Sequence, residues 1–299
     1  MKTYMLIPNI KIHNANAMSS PYTIGFPAMT AWLGSVHALE RKVHAQGMQK
    51  VRFQRTGVVC KECNLQTYKG PRDYHYSIIG TANPLRKGRN PGEYDRPPFI
   101  EEARCHLKVS LIIEVIGVNT ENAEELQSIV EEQFPCLRIA GGDIEEGRKL
   151  GVDIRFLADE DEKEMRKLLR SLMPGYAVIE RRDLMLEAMQ EGKDALDALL
   201  EGLQVVSTSI VDDGELRWEH ARKAPGWIVP LAVGFKALAG PVQVENQRDF
   251  TYDHYFAESV VTLGEFKMPY HFDSVDEMMW EYQVDTQQGL YLCENQVKG

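Results

Sequence analysis

The stretch NANAMSSP, Asn14 to Pro21, is crowded with amide and hydroxyl side chains: Asn14, Asn16, Ser19 and Ser20 stand among small alanines. Amides donate to and accept from base edges, and hydroxyls reach phosphate or ribose, so the stretch has the groups to hold RNA. The same residues also build an Asx-type turn with a helix cap. His37 and Arg41 stand four apart, with His44 next in line. A general base beside a cation is what metal-independent RNA cleavage needs, and the plain alternative is a solvated or RNA-contacting helix face. Cys60 and Cys63 in CKEC have zinc-knuckle spacing, but no second pair follows at a matching interval, so no metal site is expected. AGGD, Ala140 to Asp143, lacks the Gly-Lys-Ser/Thr of a phosphate loop. Its Gly141 and Gly142 allow close backbone approach to a ligand, or simply a tight turn. No specific catalytic signature occurs, and the chain is not expected to be an enzyme or to need a cofactor.

These residues need elements to position them. YMLIPNIKI (Tyr4 to Ile12) reads as a strand that hands over, through NANAMSSP, to a helix within Gly25–Gly47. Met29, Trp32, Leu33, Val36, Leu39 and Val43 repeat there at helical spacing, and Pro27 suits a first turn. Val51–Cys60 reads as a second strand. His106–Gly117 reads as a third, with Leu107, Val109, Leu111, Ile113 and Val115 on one face. Thr120–Phe134 predicts a helix with Ala123, Leu126, Ile129 and Val130 inward, and Cys136–Ala140 a short fourth strand. The order β-α-β-β-α-β is the ferredoxin-like arrangement shared with RNA-binding modules, an α+β fold.

The connection between the second and third strands, residues 61–103, is far longer than a hairpin needs and predicts an inserted arm. It mixes Tyr68, Tyr74, Tyr76 and Phe99 with Lys69, Arg72, Arg86, Lys87, Arg89 and Arg96. Cations among aromatic rings suit single-stranded nucleic acid. Residues 151–299 read as an acidic α/β remainder packed on the core of a single body spanning 1–299. In it, Trp227 is expected to pack, and DEMMWEY (Asp276 to Tyr282) to form a last helix.

At 299 residues, 43% hydrophobic and 26% charged, the chain has ample core for a soluble protein. No apolar run reaches membrane-helix length, and the N-terminus carries no expected signal peptide. Five scattered cysteines point to a reducing compartment, the cytoplasm. The net charge of −10 is split unevenly. Residues 1–111 hold 16 Lys and Arg against 7 Asp and Glu, or +9, and the rest hold 18 against 37, or −19. One surface is thus expected to meet a polyanion and another a solvent or protein neighbour.

Several stretches together resemble one family. NANAMSSPYTIGFP, HAL at His37–Leu39, NPL at Asn83–Leu85, EEARCHLKVSLII at Glu101–Ile113 and RIAGGDI at Arg138–Ile144 look like the second Csy subunit of type I-F CRISPR surveillance complexes. LMPGYAVI, PGWIVPLAVGFKAL and the late GLY at Gly289–Tyr291 extend the resemblance over nearly the whole chain. The resemblance implies a modified ferredoxin-like fold of the RAMP superfamily with a protruding thumb. It implies a Cas-five-type subunit that holds the 5′ handle of crRNA, caps the backbone filament beside an adjacent backbone subunit, and pairs with the large Csy subunit that reads the PAM. It implies binding without cutting; a RAMP endoribonuclease acting on repeat RNA is the alternative. On these motifs Arg104, His106 and Arg138 join the RNA-binding candidates.

Overall fold

A computed structural model describes residues 2–79, 85–88, 90, 92–95, 102–145, 150–158, 161–212, 215–247 and 249–295. In chain order the first elements are β1 (Lys2–Asn16), β2 (Met18–Ser20), β3 (Thr23–Ile24), α1 (Met29–Ala45) and β4 (Arg52–Leu65). Two short ribbons follow in the arm, β5 (Thr67–Tyr68) with β6 (Ser77–Ile78), and β7 (Arg86–Lys87) with β8 (Tyr94–Asp95). Then come β9 (Arg104–Ile116), α2 (Ala123–Gln133), β10 (Arg138–Ile139), β11 (Gly142–Ile144), β12 (Asp153–Leu157) and α3 (Glu162–Ser171). The chain finishes with β13 (Tyr176–Glu180), α4 (Arg182–Gln190), α5 (Ala195–Leu203), β14 (Val206–Asp212), β15 (Glu215–Ala221), β16 (Ile228–Ala237), β17 (Ala257–Lys267), β18 (Met279–Asp285) and β19 (Leu290–Glu294). The protein is mixed α and β around a large antiparallel sheet. Among the described residues no helix is long and apolar enough to cross a membrane.

The first part of the sheet has the order β11-β1-β9-β4, every neighbour antiparallel. Helices α1 and α2 lie on one face. The six apolar residues read from the helical spacing of α1 are all buried, as are Leu126 and Val130 of α2. They meet Ile10, Ile12, Leu107, Val109, Leu111 and Ile113 in one core. Ala123 and Ile129 are only half-buried.

Strand β1 keeps its inward face by bulging twice. The buried residues on that face run Met5, Ile7, Ile10, Ile12 and Ala15, so the spacing of two stretches to three at two places. The register with β9 shifts at those same places, between Ile7 and Ile10 and between Ile12 and Ala15. An asparagine fills each gap in left-handed backbone, Asn9 at φ 55° and Asn14 at φ 61°. Without the extra residue the next apolar side chain would flip to the other face.

The second part of the sheet closes on itself. Strand β4 pairs on its far edge with β18 (Met279 with Gly57) and with β13 (Tyr176 with Cys60). β13, β17, β16, β19 and β18 then pair in succession, so six strands form a ring. Trp280 is fully buried in it and donates its indole N–H to the Val178 carbonyl at 2.7 Å.

The sheet face opposite α1 is covered over half its length. Tyr4, Leu6, Val59 and Ile112 pack there against Leu168, Leu169 and Leu172 of α3 and against Phe272 and Val275. Beyond Ile7 on β1 and before Val109 on β9 that cover ends, and the strands alternate buried and accessible residues.

Three sequence expectations are corrected. NANAMSSP is not a loop entering a helix: β1 runs to Asn16, a β2–β3 hairpin follows, and α1 begins at Met29 with no side-chain cap. Strand β4 does not stop at Cys60; a bulge between Cys60 and Glu62 carries it to Leu65, so the arm leaves the sheet later than residue 61. DEMMWEY is not a helix. Ser274 and Glu277 cap a single 3-10 turn, Val275–Met278, after which Trp280, Tyr282 and Val284 extend as β18, where pairing to β4 and β19 outweighs the local turn.

Candidate nucleic-acid interface

The uncovered half of the sheet carries the site. On β1, exposed Lys11 and His13 alternate with buried Ile10 and Ile12, and Asn16 is half-buried. On β9, Arg104, His106 and Lys108 alternate with buried Cys105 and Leu107. Register brings Lys11 opposite Lys108 and Asn16 opposite Arg104. The rings of His13 and His106 lie 4.4 Å apart.

His106 is held by its neighbours. The Asn14 backbone N–H donates to its Nδ1 at 3.3 Å, and its Nε2 lies 3.2 Å from the Gln66 side-chain amide nitrogen. Gln66 also donates to Asn14 Oδ1 at 3.0 Å. The Gln66 backbone N–H bonds the Arg104 carbonyl at 2.8 Å, and its own carbonyl accepts from Ile79 at 3.1 Å, so the arm is rooted beside this cluster.

The β10–β11 hairpin closes one side. Its two-residue turn is Ala140 and Gly141, both at positive φ (49° and 73°). The Asn16 N–H donates to the Ala140 carbonyl at 2.8 Å. Gly142 packs so tightly on β1 that a Cβ there would lie 2.8 Å from Ala15 Cα. The AGGD turn and the end of β1 are therefore neighbours, with Arg138 on the same hairpin.

Four cations here each hold a carboxylate partner. Lys11 pairs with Glu145 at 3.4 Å, Lys108 with Glu62 at 3.3 Å and Arg138 with Asp143 at 2.8 Å; Arg104 pairs with Glu102. Lys61 donates to Asn9 Oδ1 at 3.0 Å, and burial, then the nearby charge of Lys108, push its ammonium below the ordinary lysine value. The exposed pairs of Lys11 and Arg138 are worth little, so an arriving phosphate can displace their carboxylates at small cost.

Other candidates stand elsewhere or are engaged internally. Asn16 forms an Asx turn, its Oδ1 accepting from the Met18 N–H at 3.0 Å and its Nδ2 donating to the Met18 carbonyl at 3.1 Å. Ser20 is buried, and its hydroxyl lies 2.6 Å from Thr23 Oγ1; Ser19 lies 3.0 Å from the same atom. Both serines knit the hairpin. His37 and Arg41 are exposed on α1, on the far side of the sheet from His106. His44 is tied to the Val51 carbonyl at 2.7 Å. Arg72, Arg86 and Lys87 are exposed on the arm with Tyr68, Tyr74, Tyr76 and Tyr94, and Lys69 sits 5.3 Å over the Tyr76 ring. Arg89 lies outside the described residues. Trp227 is half exposed and packs its ring against Tyr176 and Phe266, each at 5.2 Å. Sequence reasoning missed Lys11, His13, Gln66 and Lys108, although polar residues alternating with Ile10, Ile12, Leu107 and Val109 mark an open face.

A cavity of about 710 Å³ lies at the other end of the sheet, lined by Glu180, Arg181, Arg182, Asp183, Glu265 and Glu294 among others. Its arginines are already neutralised. Arg182 meets Glu180 at 2.8 Å and Glu294 at 3.0 Å, and Arg181 meets Asp183 at 2.9 Å and Glu265 at 2.6 Å. It braces β13 and α4 against β17 and β19. Among the described residues no three His, Cys, Asp or Glu side chains converge as a metal would require.

Comparison with known proteins decides the family. The family model for CRISPR-associated protein (Cas_Csy2) matches residues 5–293. The chain belongs to the Csy2 family. A relative, the CRISPR-associated protein Csy2 of Pseudomonas aeruginosa (strain UCBPP-PA14), is 31% identical over 315 residues, which covers 96% of this chain and 93% of that protein. The resemblance read from the motifs is thus shown across nearly the whole length, and the positions bearing Lys11, His13, His106 and Lys108 fall inside the matched span.

Proposed function

We propose that this member of the Csy2 family serves in a type I-F CRISPR surveillance complex, where it holds the 5′ handle of the guide RNA on the uncovered half of its sheet and does not cut it. One observation carries the reading. Lys11, His13, Arg104, His106 and Lys108 share an accessible sheet face whose reverse is core, and the tyrosine- and arginine-bearing arm is rooted beside it at Gln66. Flat, cationic, imidazole-bearing sheet faces suit unstacked RNA, with phosphates on the lysines and bases on the rings. The antiparallel order β11-β1-β9-β4, with two helices on one face, supports a ferredoxin-like core of the RAMP type. The arm acts as the thumb of a single body. The large Csy subunit and an adjacent backbone subunit are the protein neighbours, and the assembly works in the cytoplasm. Binding without cleavage is supported by His106, whose two ring nitrogens both face neighbouring side-chain or backbone groups.

The test is binding of repeat-derived guide RNA by the purified full-length chain. Replacing Lys11 and Lys108 with Ala should lower the salt slope of log affinity by about 1.4, roughly 0.7 per lost phosphate contact on a single strand. An unchanged slope in a folded variant would contradict the site. Metal-free cleavage of the RNA that disappears in His106→Ala would replace holding by catalysis.

A further inference from the structure

The strongest cationic feature outside this site lies in the acidic part of the chain. Lys163, Arg166, Lys167 and Arg170 are all exposed on α3, at positions i, i+3, i+4 and i+7, so they form one stripe. Behind them Leu168 and Leu169 are buried on the sheet, which fixes the stripe facing outward. Arg166 is only loosely matched by Glu162 at 3.6 Å and Lys167 by Glu164 at 3.4 Å. Lys163 and Arg170 have no partner among the described residues. The stripe borders a shallow groove of about 490 Å³ lined by these four cations and Glu162. An adjoining groove of about 400 Å³ runs from Arg166 and Arg170 to Tyr270 and Asp273. Tyr270 is exposed, and its ring lies 4.1 Å from that of exposed His271.

We infer that α3 is a second nucleic-acid contact, gripping a phosphodiester backbone with Lys163, Arg166, Lys167 and Arg170 at a place separate from the uncovered half-sheet. The helix rises about 1.5 Å per residue, so the stripe is roughly 10 Å long, about three phosphate steps along one strand of a duplex. A solvated helix face of mixed charge would place its acids among its cations. Here Glu162, on the groove wall, and Glu164 both sit in the first turn, where the helix N-terminus favours them, so the acids gather at one end and the cations run on past them to Arg170. The exposed Tyr270 ring at the groove's far wall, with the His271 ring 4.1 Å from it, adds a surface on which a base can stack. Arginine and lysine together with rings favour a polynucleotide over an acidic protein face, and α3 lies on the same side of the sheet as Lys11 and His106, so both contacts can serve one assembly.

The experiment measures the full-length chain against a short single-stranded RNA and a DNA duplex of matching length, each over a series of salt concentrations. In Lys163→Ala/Arg166→Ala/Lys167→Ala/Arg170→Ala the salt slope on at least one probe should fall by about 2–4, with affinity down about tenfold or more near 0.1 M salt. The probe that responds identifies the strand. Exchanging each Lys for Arg and each Arg for Lys should restore binding. Unchanged slopes on both probes, in a variant that melts as the parent does, overturn the inference, and loss of protein assembly without loss of nucleic acid assigns the stripe to an acidic protein instead. The Lys11→Ala/Lys108→Ala variant run alongside separates the two ideas. If it alone loses RNA, the half-sheet site stands and α3 does not; if only the α3 variant responds, the reverse holds.

Discussion

Gly142 shows how finely single residues set the site. A Cβ on it would meet Ala15 Cα and N and the His13 carbonyl oxygen, each at 2.8 Å, and all three are backbone atoms that cannot swing aside. Gly142→Ala should therefore push β11 off β1 and cost about 1–3 kcal/mol of stability, read as a lowered melting temperature, with weaker RNA binding because His13 and Asn16 move with the strand. The role of Gly142 was legible only as a choice between ligand approach and a tight turn, and the structure gives close approach to β1 itself. Asn14 and Asn16 were legible as a polar pair but not in their division of labour. Asn14 takes the bulge and meets Gln66, while Asn16 folds back on Met18. The bulges could have been found from the buried spacing of β1, which stretches from two to three at Asn9 and at Asn14, residues that tolerate left-handed backbone. A reading that expects strict alternation ends the strand too early there.

At the scale of elements, an ion network fastens the last turn and strand to the first ones. Lys2 on β1 and Arg55 on β4 both bond Asp276, and Arg55 also bonds Glu114 on β9. Burial raises the Asp276 carboxyl, but the bonds and charges of Lys2 and Arg55 outweigh it and hold the group below its ordinary value. A depressed carboxylate stabilises the fold above its unfolded pKa and loses that stabilisation as pH falls through the folded value. Asp276→Asn should accordingly melt lower than the parent at neutral pH, and the gap should narrow once the pH drops below about 4. A gap that stays constant to low pH would show that the charge does not matter. The helices and strands of the first half were readable because their apolar periods are long and regular. The segment DEMMWEY was not, because a capping box and a β-rich run overlap in it and only the partners β4 and β19 decide between them.

Across the whole molecule the two charge halves are not two separable bodies. Trp280, Val178, Leu231, Val233 and Cys293 from the acidic part share one core with Trp32 and Val58 of the basic part. A fragment of residues 1–150 would bare that core and leave the far edge of β4 unpaired, so it should fail to unfold cooperatively in a thermal melt, where the full chain does. The charge split was visible in the sequence, yet a sum of −19 over residues 112–299 concealed the basic stripe of α3, since a net charge says nothing about which face of a helix carries it. The open half of the sheet was likewise hidden, because it is defined by where the cover supplied by α3 and Phe272 ends.

Photo-crosslinking tests most directly whether guide RNA lies on that open half. Guide RNA carrying thiouridine should be bound to the full-length chain, irradiated, and the attached peptides located by mass spectrometry. Crosslinks within residues 11–16 of β1 and 104–108 of β9 are predicted; crosslinks confined to His37 and Arg41 on α1, with none on these two strands, would contradict it.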